Sequence, residues 1–492
     1  MTTQKGMVSM RAASGAVLLA TVVLAGCNPL LQQRSAKDIA LTGDYMGVHP
    51  SETLDSGAGA RQTYANGAAV PGKWWTRFGS PSLDRVIETA MRDSPSLRST
   101  ESKLVAAQKY LIAQQGASYF PSIDFNASVK REKVNTASIG LPILPNPKPF
   151  TLYNTGLSIS YDFDVFGAER HLVASKRHEV EAKTYQLEAA RLALAGNIVT
   201  AAVREAQLRS EIGVRERLRN DQRHVGQLLN GRYANGSVGH DDVLDSEADV
   251  ARSEAELLPL RKSLAQVRMQ LAVYAGASSP ESMPEFHLEE LHLPEQLPLV
   301  VPSEWVHRRP DILAAEANLR VAGELAGVAA ANLYPQIALS ANIGSSPLTL
   351  ARLFAGDAGL WSFGAQLTAP IFRGGELNAK RDAAYAEYEA AFQDYKGVVL
   401  TALQSVGDAM AAMEQDSRAS AAYIESARRR EALRDLTRSQ LGLGNRDLLD
   451  VLQAERAYNL SELDVVRARA SQLTNTAAFF SAMGGAIDLP SR

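Results

Sequence analysis

The chain is written twice, and that constrains its fold more than any single motif in it. Residues 236–257 read GSVGHDDVLDSEADVARSEAEL and residues 444–465 read GNRDLLDVLQAERAYNLSELDV. At a constant offset of 208, Gly236 falls on Gly444 and Asp242-Val243-Leu244 on Asp450-Val451-Leu452. Glu247 then meets Glu455, Ser253-Glu254 meets Ser461-Glu462, and Gly276 meets Gly484. Upstream the offset is 215: Pro95, Glu101, Leu104 and Tyr119 fall on Pro310, Glu316, Leu319 and Tyr334. SYFPSIDF (118–125) and NLYPQIAL (332–339) mark the same junction in each half. Separated blocks agreeing in one order read as an internal duplication, and so long a period is not that of a solenoid.

Each copy has the same plan. A helical pattern comes first (Leu83 to Ser118; Ser303 to Asn332), ended by an aromatic–proline step. Two strands follow. In the first copy Ile123, Phe125, Ala127 and Val129 alternate with Asp124, Asn126, Ser128 and Lys130, and Leu157, Ile159, Tyr161 and Phe163 alternate with Ser158, Ser160 and Asp162. The second copy gives IALSANIGSS and LWSFGAQLTAPIF, with Trp361, Phe363, Ala365 and Leu367 on one face. Pro- and Gly-rich loops such as IGLPILPNPKPF lie between. Proline-free helical patterns then run from Ala168 to about Leu229 and from Gly375 to about Gln440. About 62 residues at 1.5 Å each span roughly 90 Å. Each ends at a glycine-marked break (NGRYANGSVG; LGLGNRD) and returns as a second helix of about 35 residues. Narrow, alanine-heavy apolar stripes suit coiled-coil-like packing of these two hairpins better than a globular core.

Strands of roughly ten residues, apolar on one face and polar on the other, match a transmembrane barrel. Such a strand crosses hydrocarbon only when tilted. A barrel in lipid must also close, because an open edge leaves backbone groups unpaired. Four strands cannot close around anything, so a membrane reading requires several chains to share one barrel. A small soluble sheet packed on the helices is the alternative that the same alternation allows.

The N-terminus carries an address. Lys5 and Arg11 precede a short apolar core, Ala16 to Ala25, too short to span a bilayer and laid out as a secretory signal. Leu24-Ala25-Gly26-Cys27 resembles the bacterial lipobox, whose cysteine is lipidated and becomes the first mature residue. Asn28 in place of Asp is compatible with transport to the outer membrane. Cys27 is the only cysteine among 492 residues, which excludes an internal disulfide framework and any multi-cysteine metal site. No later apolar run is long enough for a transmembrane helix. With 51 basic against 54 acidic residues the net charge is −3, and no nucleic-acid footprint is visible. No G-x-S-x-G, P-loop or H-E-x-x-H points to an enzyme. His287 and His292 flank Glu289-Glu290 in the proline-rich connector, where a structural role is the simpler reading. A periplasmic coiled-coil adaptor or scaffold is a second rival, but it needs no amphipathic strands at matched places.

Four stretches carry a family resemblance: WWTRFGSPSLDRVIETAM (74–91), VPSEWVHRRPDILAAEANLRVAGELAGVAAANLYPQIAL (301–339), APIFRGGELNAK (369–380) and LDVLQAERAYNLSE (449–462). The most specific element is Arg308-Arg309-Pro310-Asp311-Ile312 followed by Ala315-Glu316. The chain resembles the TolC-like outer-membrane channels of tripartite efflux systems, and within them the NodT-type lipoprotein branch. The resemblance implies a mostly α protein with membrane β: an internally duplicated chain whose helical hairpins form an α-barrel. Its four strands join those of two other copies in a trimeric twelve-stranded transmembrane β-barrel. It implies a homotrimer, held in outer-membrane lipid through acylated Cys27, with no cofactor. Partners would be a periplasmic membrane-fusion adaptor and an inner-membrane pump of the resistance-nodulation-division type.

By the same resemblance, Arg446 and Asp450 in the second repeat and Asp242 in the first close the periplasmic end, with Asp447 and Asp245 adding charge. Gln453 stands where relatives carry a second gating aspartate. Adaptor contacts would fall on the hairpin turns, at Tyr233, Gly236, Ser237, Val238, Leu441, Gly444 and Asn445. Boundaries follow: signal peptide 1–26, lipid-anchored linker 27–72, first repeat 73–285, connector 286–302, second repeat 303–485 and C-terminal tail 486–492. The exported substrate is not written in these residues.

Overall fold

A computed structural model describes residues 70–135, 145–300 and 302–484, together with Tyr45, Gly47, Ile143 and the segments 53–57 and 61–68. The signal peptide, Cys27 and the tail 486–492 lie outside the described residues. In chain order the elements are β1 (Thr53–Asp55), β2 (Arg61–Asn66), α1 (Pro81–Asp93), α2 (Pro95–Tyr119), β3 (Ser122–Glu132), β4 (Phe150–Phe163), α3 (Ala168–Ala234) and α4 (His240–Ala275). Then come β5 (Gln296–Leu299), α5 (Pro302–Trp305), α6 (Pro310–Ala331), β6 (Gln336–Ser345), β7 (Gly359–Thr368), α7 (Glu376–Gly442) and α8 (Leu448–Met483).

Proline places the breaks that periodicity alone reads through. The helical pattern of 83–118 is two helices, divided at Ser94, which sits extended at φ −60°, ψ 123° ahead of Pro95. The residue before a proline is sterically driven out of the helical region, and proline itself is at home in the first helical turn. Pro310 does the same in the second copy, with Arg309 extended before it. The helix expected from Ser303 is therefore a single turn, α5, followed by α6.

The long helices α3 and α7 each have 67 residues, and the return helices α4 and α8 each have 36. Sixty-seven residues correspond to roughly 100 Å. The return helices cover the distal part of α3 and α7, and the shorter α2 and α6 cover the part nearest the sheet. The stacking is end to end. A Cβ on Gly276, just past α4, would lie 2.6 Å from the Asp93 carbonyl ahead of α2. Arg309, ahead of α6, donates from Nη1 to the Ala482 carbonyl at the end of α8, 2.8 Å away. Packing runs in a fixed lateral order: α2 with α4 on one side of α3, α6 with α8 between α3 and α7. The helical part is thus a layer four columns wide.

The four long strands repeat that order as β3-β4-β6-β7, all antiparallel. Their register carries each side-chain row straight across the sheet. Phe125 pairs with Leu157, Leu157 with Ile343 and Ile343 with Trp361, so one face is apolar. Asp124, Ser158, Asn342 and Ser362 form the adjacent row, which points to the other face. A small sheet packed on helices would bury the apolar rows. Here Phe125 is 70% exposed, Trp361 79% and Phe363 72%.

The deepest core lies elsewhere, midway along the helical layer. Residues 53–55 and 61–66, for which no secondary structure was expected, supply β1 and β2; β2 pairs in parallel with β5 of the connector. Trp74 and Phe480 stack at 5.7 Å, and Trp74, Phe78, Trp305, Phe479 and Phe480 are all buried. This belt ties the N-terminal segment, the connector and the end of α8 together.

Candidate functional site at the hairpin tips and the open sheet

Both hairpins turn in the same way. Gly236 and Gly444 have φ of 70° and 76°, a left-handed conformation that glycine adopts without Cβ strain. The amide after each glycine reaches back five residues, Ser237 to the Arg232 carbonyl and Asn445 to the Gln440 carbonyl, 2.9 Å in both. The glycine amides bond to the Tyr233 and Leu441 carbonyls. These bonds satisfy the last carbonyls of α3 and α7 as a Schellman-type ending.

The return helices begin on matched carboxylates. Asp242 Oδ2 accepts from the Gly239 amide at 3.2 Å, and Asp450 Oδ2 accepts from the Asp447 amide at 3.3 Å. Each stands at the third helical position and supplies that residue's half of a capping box. Asp447 completes the second one by accepting from the Leu449 and Asp450 amides, whereas the first has Gly239 in its place. The two aspartates thus have a local helix-starting role.

The expected charges are partly brought together. Arg446 Nη1 lies 3.8 Å from Asp450 Oδ2, and Arg446 Nε donates to Gln440 Oε1 at 3.3 Å. No hydrogen bond or ion pair joins Asp242 or Asp245 to Arg446 among the described residues. A contact not anticipated from the sequence joins the tips: Arg232, at the end of α3, reaches Asp447 at the start of α8, Nη2 to Oδ2 2.6 Å. That arginine holds the Asp447 carboxyl below the usual carboxylate range, helped by the two capping amides. Arg232 matches Gln440 at the repeat offset, and both side chains bind residues of the second turn.

Above the tips, the columns are laced by ion pairs. Arg217 meets Glu462 at 2.6 Å and Arg261 meets Glu216 at 2.7 Å, and Arg438 pairs with Glu455. Asp221 accepts from Asn459 Nδ2 at 2.8 Å across the two hairpins; burial, with Glu455 nearby, pushes its carboxyl up. Tyr233 stands against His240 across the first turn, ring centroids 5.2 Å apart, and remains 46% exposed. Val238 and Leu441 are half-buried, while Gly236, Ser237, Gly444 and Asn445 are exposed. Leu244, Leu443 and Leu448 add exposed apolar surface that the motif reading missed. The His287–His292 stretch forms no metal cluster; none occurs among the described residues. No described helix is long and apolar enough to cross a membrane.

A two-faced sheet with bare apolar rows, continued by a helical layer roughly 100 Å long, is the build of an outer-membrane efflux channel. The chain belongs to the outer membrane efflux protein family, whose sequence model matches residues 86–277 and 301–485. It is 28% identical over 456 residues to the pyoverdine export outer membrane protein OpmQ of Pseudomonas putida, covering 91% of this chain and 94% of that one. With the toluene efflux pump outer membrane protein TtgI of Pseudomonas putida it shares 25% identity over 472 residues, 95% and 97% of the two chains. The open-state MtrE outer membrane channel of Neisseria gonorrhoeae superposes with a TM-score of 0.77 at 25% identity, covering 91% of this chain and 97% of that one. The protein is an outer-membrane efflux component, a channel and not an enzyme.

Proposed function

We propose that three copies of this chain close into one export duct, a twelve-stranded barrel in the outer membrane continued by a tunnel of helices into the periplasm. One observation carries the reading: β3 and β7 are both open edges of a sheet whose apolar face is bare. In hydrocarbon each unpaired backbone group costs several kcal/mol, so the edges must find strands from other copies. The helical layer ends at the same two places, with α2 and α4 at one side and α7 at the other. Equal lengths of the long and return helices in the two halves and the two family matches support descent from a duplication.

Acylated Cys27 would hold each copy in outer-membrane lipid. The hairpin tips, about 100 Å from the sheet, would receive a periplasmic adaptor linked to an inner-membrane pump of the resistance-nodulation-division type. Tyr233, Gly236, Ser237, Val238, Leu441, Gly444 and Asn445 form the docking rim, extended by Leu244, Leu443 and Leu448. Arg446, Asp450, Asp447, Asp242 and Asp245 hold the tips closed until the adaptor docks. Pairs this exposed contribute only about 0.2–1 kcal/mol each, which a docking partner can overcome.

Closure is tested by placing a cysteine at Ser362 in β7 together with one at Ser122, Asp124 or Asn126 in β3. Oxidation is expected to give a ladder ending at three chains for at least one pair; no ladder at any pair contradicts a shared barrel. The gate is tested by Arg446→Ala with Asp450→Asn, which keeps an acceptor for the cap while removing the charge. Single-channel conductance in planar bilayers should rise, and unchanged conductance removes these residues from the gate.

A further inference from the structure

The two places where strands pass into long helices share a backbone frame but differ in chemistry. In the first half the junction is filled by polar bonds: Gln114 donates to Glu169 Oε2 at 3.4 Å, and Ser118 bonds the same oxygen. At the repeat offset Leu377 replaces Glu169, Arg373 replaces Val165 and Lys380 replaces Leu172. Polar filling is gone, and a groove of about 380 Å³ opens between α6 and α7. Leu325 and Leu377 supply apolar wall, Arg373 and Lys380 supply charge, and Gln336 and Thr368 close the end nearest the sheet.

Three features bear on what fits there. Gln336 and Thr368 pair with each other and belong to the polar rows of the sheet, not to the row of Ile337 and Leu367. The groove therefore opens on the face that lines the lumen in the channel reading, on which this inference rests. Arg373, Leu377 and Lys380 recur at helical spacing beside the start of α7, whose N-terminus adds the positive end of its dipole. Only Glu376 opposes the two cations, paired with Lys380 at 2.5 Å, and the Arg373 guanidinium has no hydrogen bond or ion pair among the described residues.

We propose that this groove binds an amphipathic organic anion: a carboxylate or sulfonate taken by Arg373 and Lys380, on an aromatic or aliphatic body laid against Leu325 and Leu377. A small inorganic anion would meet the charges and forgo the apolar wall. A neutral hydrocarbon would make no use of the two charges. The duct would thus carry a way-station for anionic cargo just below the barrel, three times around the lumen.

Purified full-length protein in detergent, photolabelled with 5-azidonaphthalene-1-sulfonate and digested for mass spectrometry, tests this. Label is expected within residues 325–336 and 368–380. Arg373→Gln with Lys380→Gln should cut it about tenfold, the size of loss for two partly exposed charge contacts. Arg373→Lys with Lys380→Arg should restore it. Inorganic sulfate at equal concentration should displace little. Equal labelling of the charge-neutral variant, labelling only elsewhere, or displacement by sulfate as effective as by unlabelled naphthalenesulfonate overturns the proposal. The particle's mass separates the two ideas: three chains without groove labelling sinks this inference alone, and a single chain sinks the channel reading.

Discussion

The two hairpins have the same lengths and the same turn, yet their middles are held in opposite ways. In the first, Glu205 is fully buried and takes Arg209 from its own helix and Arg268 from α4, at 2.9 and 2.6 Å. Arg268 also donates to the Pro280 and Met283 carbonyls, fastening the hairpin to the segment that follows α4. In the second, the matching positions are Met413, Ser417 and Thr476, all buried and uncharged. Thr476 is instead fastened to β2, by accepting from Gln62 at 3.3 Å. One backbone therefore tolerates either a charged staple or a packed one at the same height. A shared backbone frame fixes where elements go and leaves each half free to choose its chemistry.

The largest effect that would sharpen this contrast is at Glu205. Glu205→Ala removes the shared carboxylate and leaves Arg209 to Glu285 alone and Arg268 to the Pro280 and Met283 carbonyls, which should cost about 3 kcal/mol. Grafting the second hairpin's solution into the first, Glu205→Met with Arg209→Ser and Arg268→Thr, should recover most of that loss. All three hydrogen bonds to Glu205 fall on one oxygen and leave the other unpartnered, so the charged staple is poorly satisfied. The midpoint of thermal unfolding in detergent reads both; a triple variant as weak as Glu205→Ala would break the claim that the two solutions are interchangeable.

Next in size are the glycines that end the return helices. Gly276 and Gly484 have φ of 73° and 70°. A Cβ at Gly276 would sit 2.6 Å from the Asp93 backbone oxygen, whereas at Gly484 its nearest neighbour is the Arg309 Cγ, at 3.1 Å. A side-chain methylene can shift and a backbone carbonyl cannot. Gly276→Ala should cost about 2 kcal/mol or more, left-handed strain plus the backbone clash, and Gly484→Ala about 1–2 kcal/mol, the strain of its φ 70°, ψ 117° backbone without a clash against main chain. Equal unfolding midpoints would show that the first hairpin is no more tightly abutted than the second.

Much of this frame was legible before the structure. The repeat offset placed both turns, both long helices and all four long strands, because glycine spacing and a period of two survive in each copy. The helix ends ran past the expected Leu229 and Gln440 to Ala234 and Gly442, since Gly231 and Gly442 weaken a helix without stopping it and the positive-φ Gly236 and Gly444 do stop it. The breaks at Ser94 and Arg309 were read through because apolar spacing continues across a proline that merely restarts a helix. Strands β1, β2 and β5 gave no signal: they hold three to six residues, and β2 pairs with a partner some 230 positions away. Arg232 was missed at the tips because its meeting with Asp447 depends on α3 lying beside α8, a lateral order that no local pattern states.

The smallest effects are pH-dependent and opposite in sign at the two inter-hairpin carboxylates. Asp447 is held low by Arg232, so its stabilisation is full above the ordinary carboxylate range and drains as pH falls through its lowered value. Asp221 is held high by burial, so its ionised form is a burden at neutral pH that acid relieves. Asp447→Asn should lower the unfolding midpoint at pH 7, by less than about 1 kcal/mol, with the gap closing in acid. Asp221→Asn should raise it slightly at pH 7, and that gain should also fade in acid. A same-sign response from both variants would remove the distinction between an exposed pair and a half-buried one.

Behind both hairpins stands the claim that one chain is an open strip, four columns wide, completed only by other copies. The mass of the protein in detergent-extracted particles, measured by light scattering with the detergent contribution subtracted, tests it most directly. Three chains per particle is the expected result. A particle of one chain, with its apolar strand rows simply coated by detergent, would contradict it.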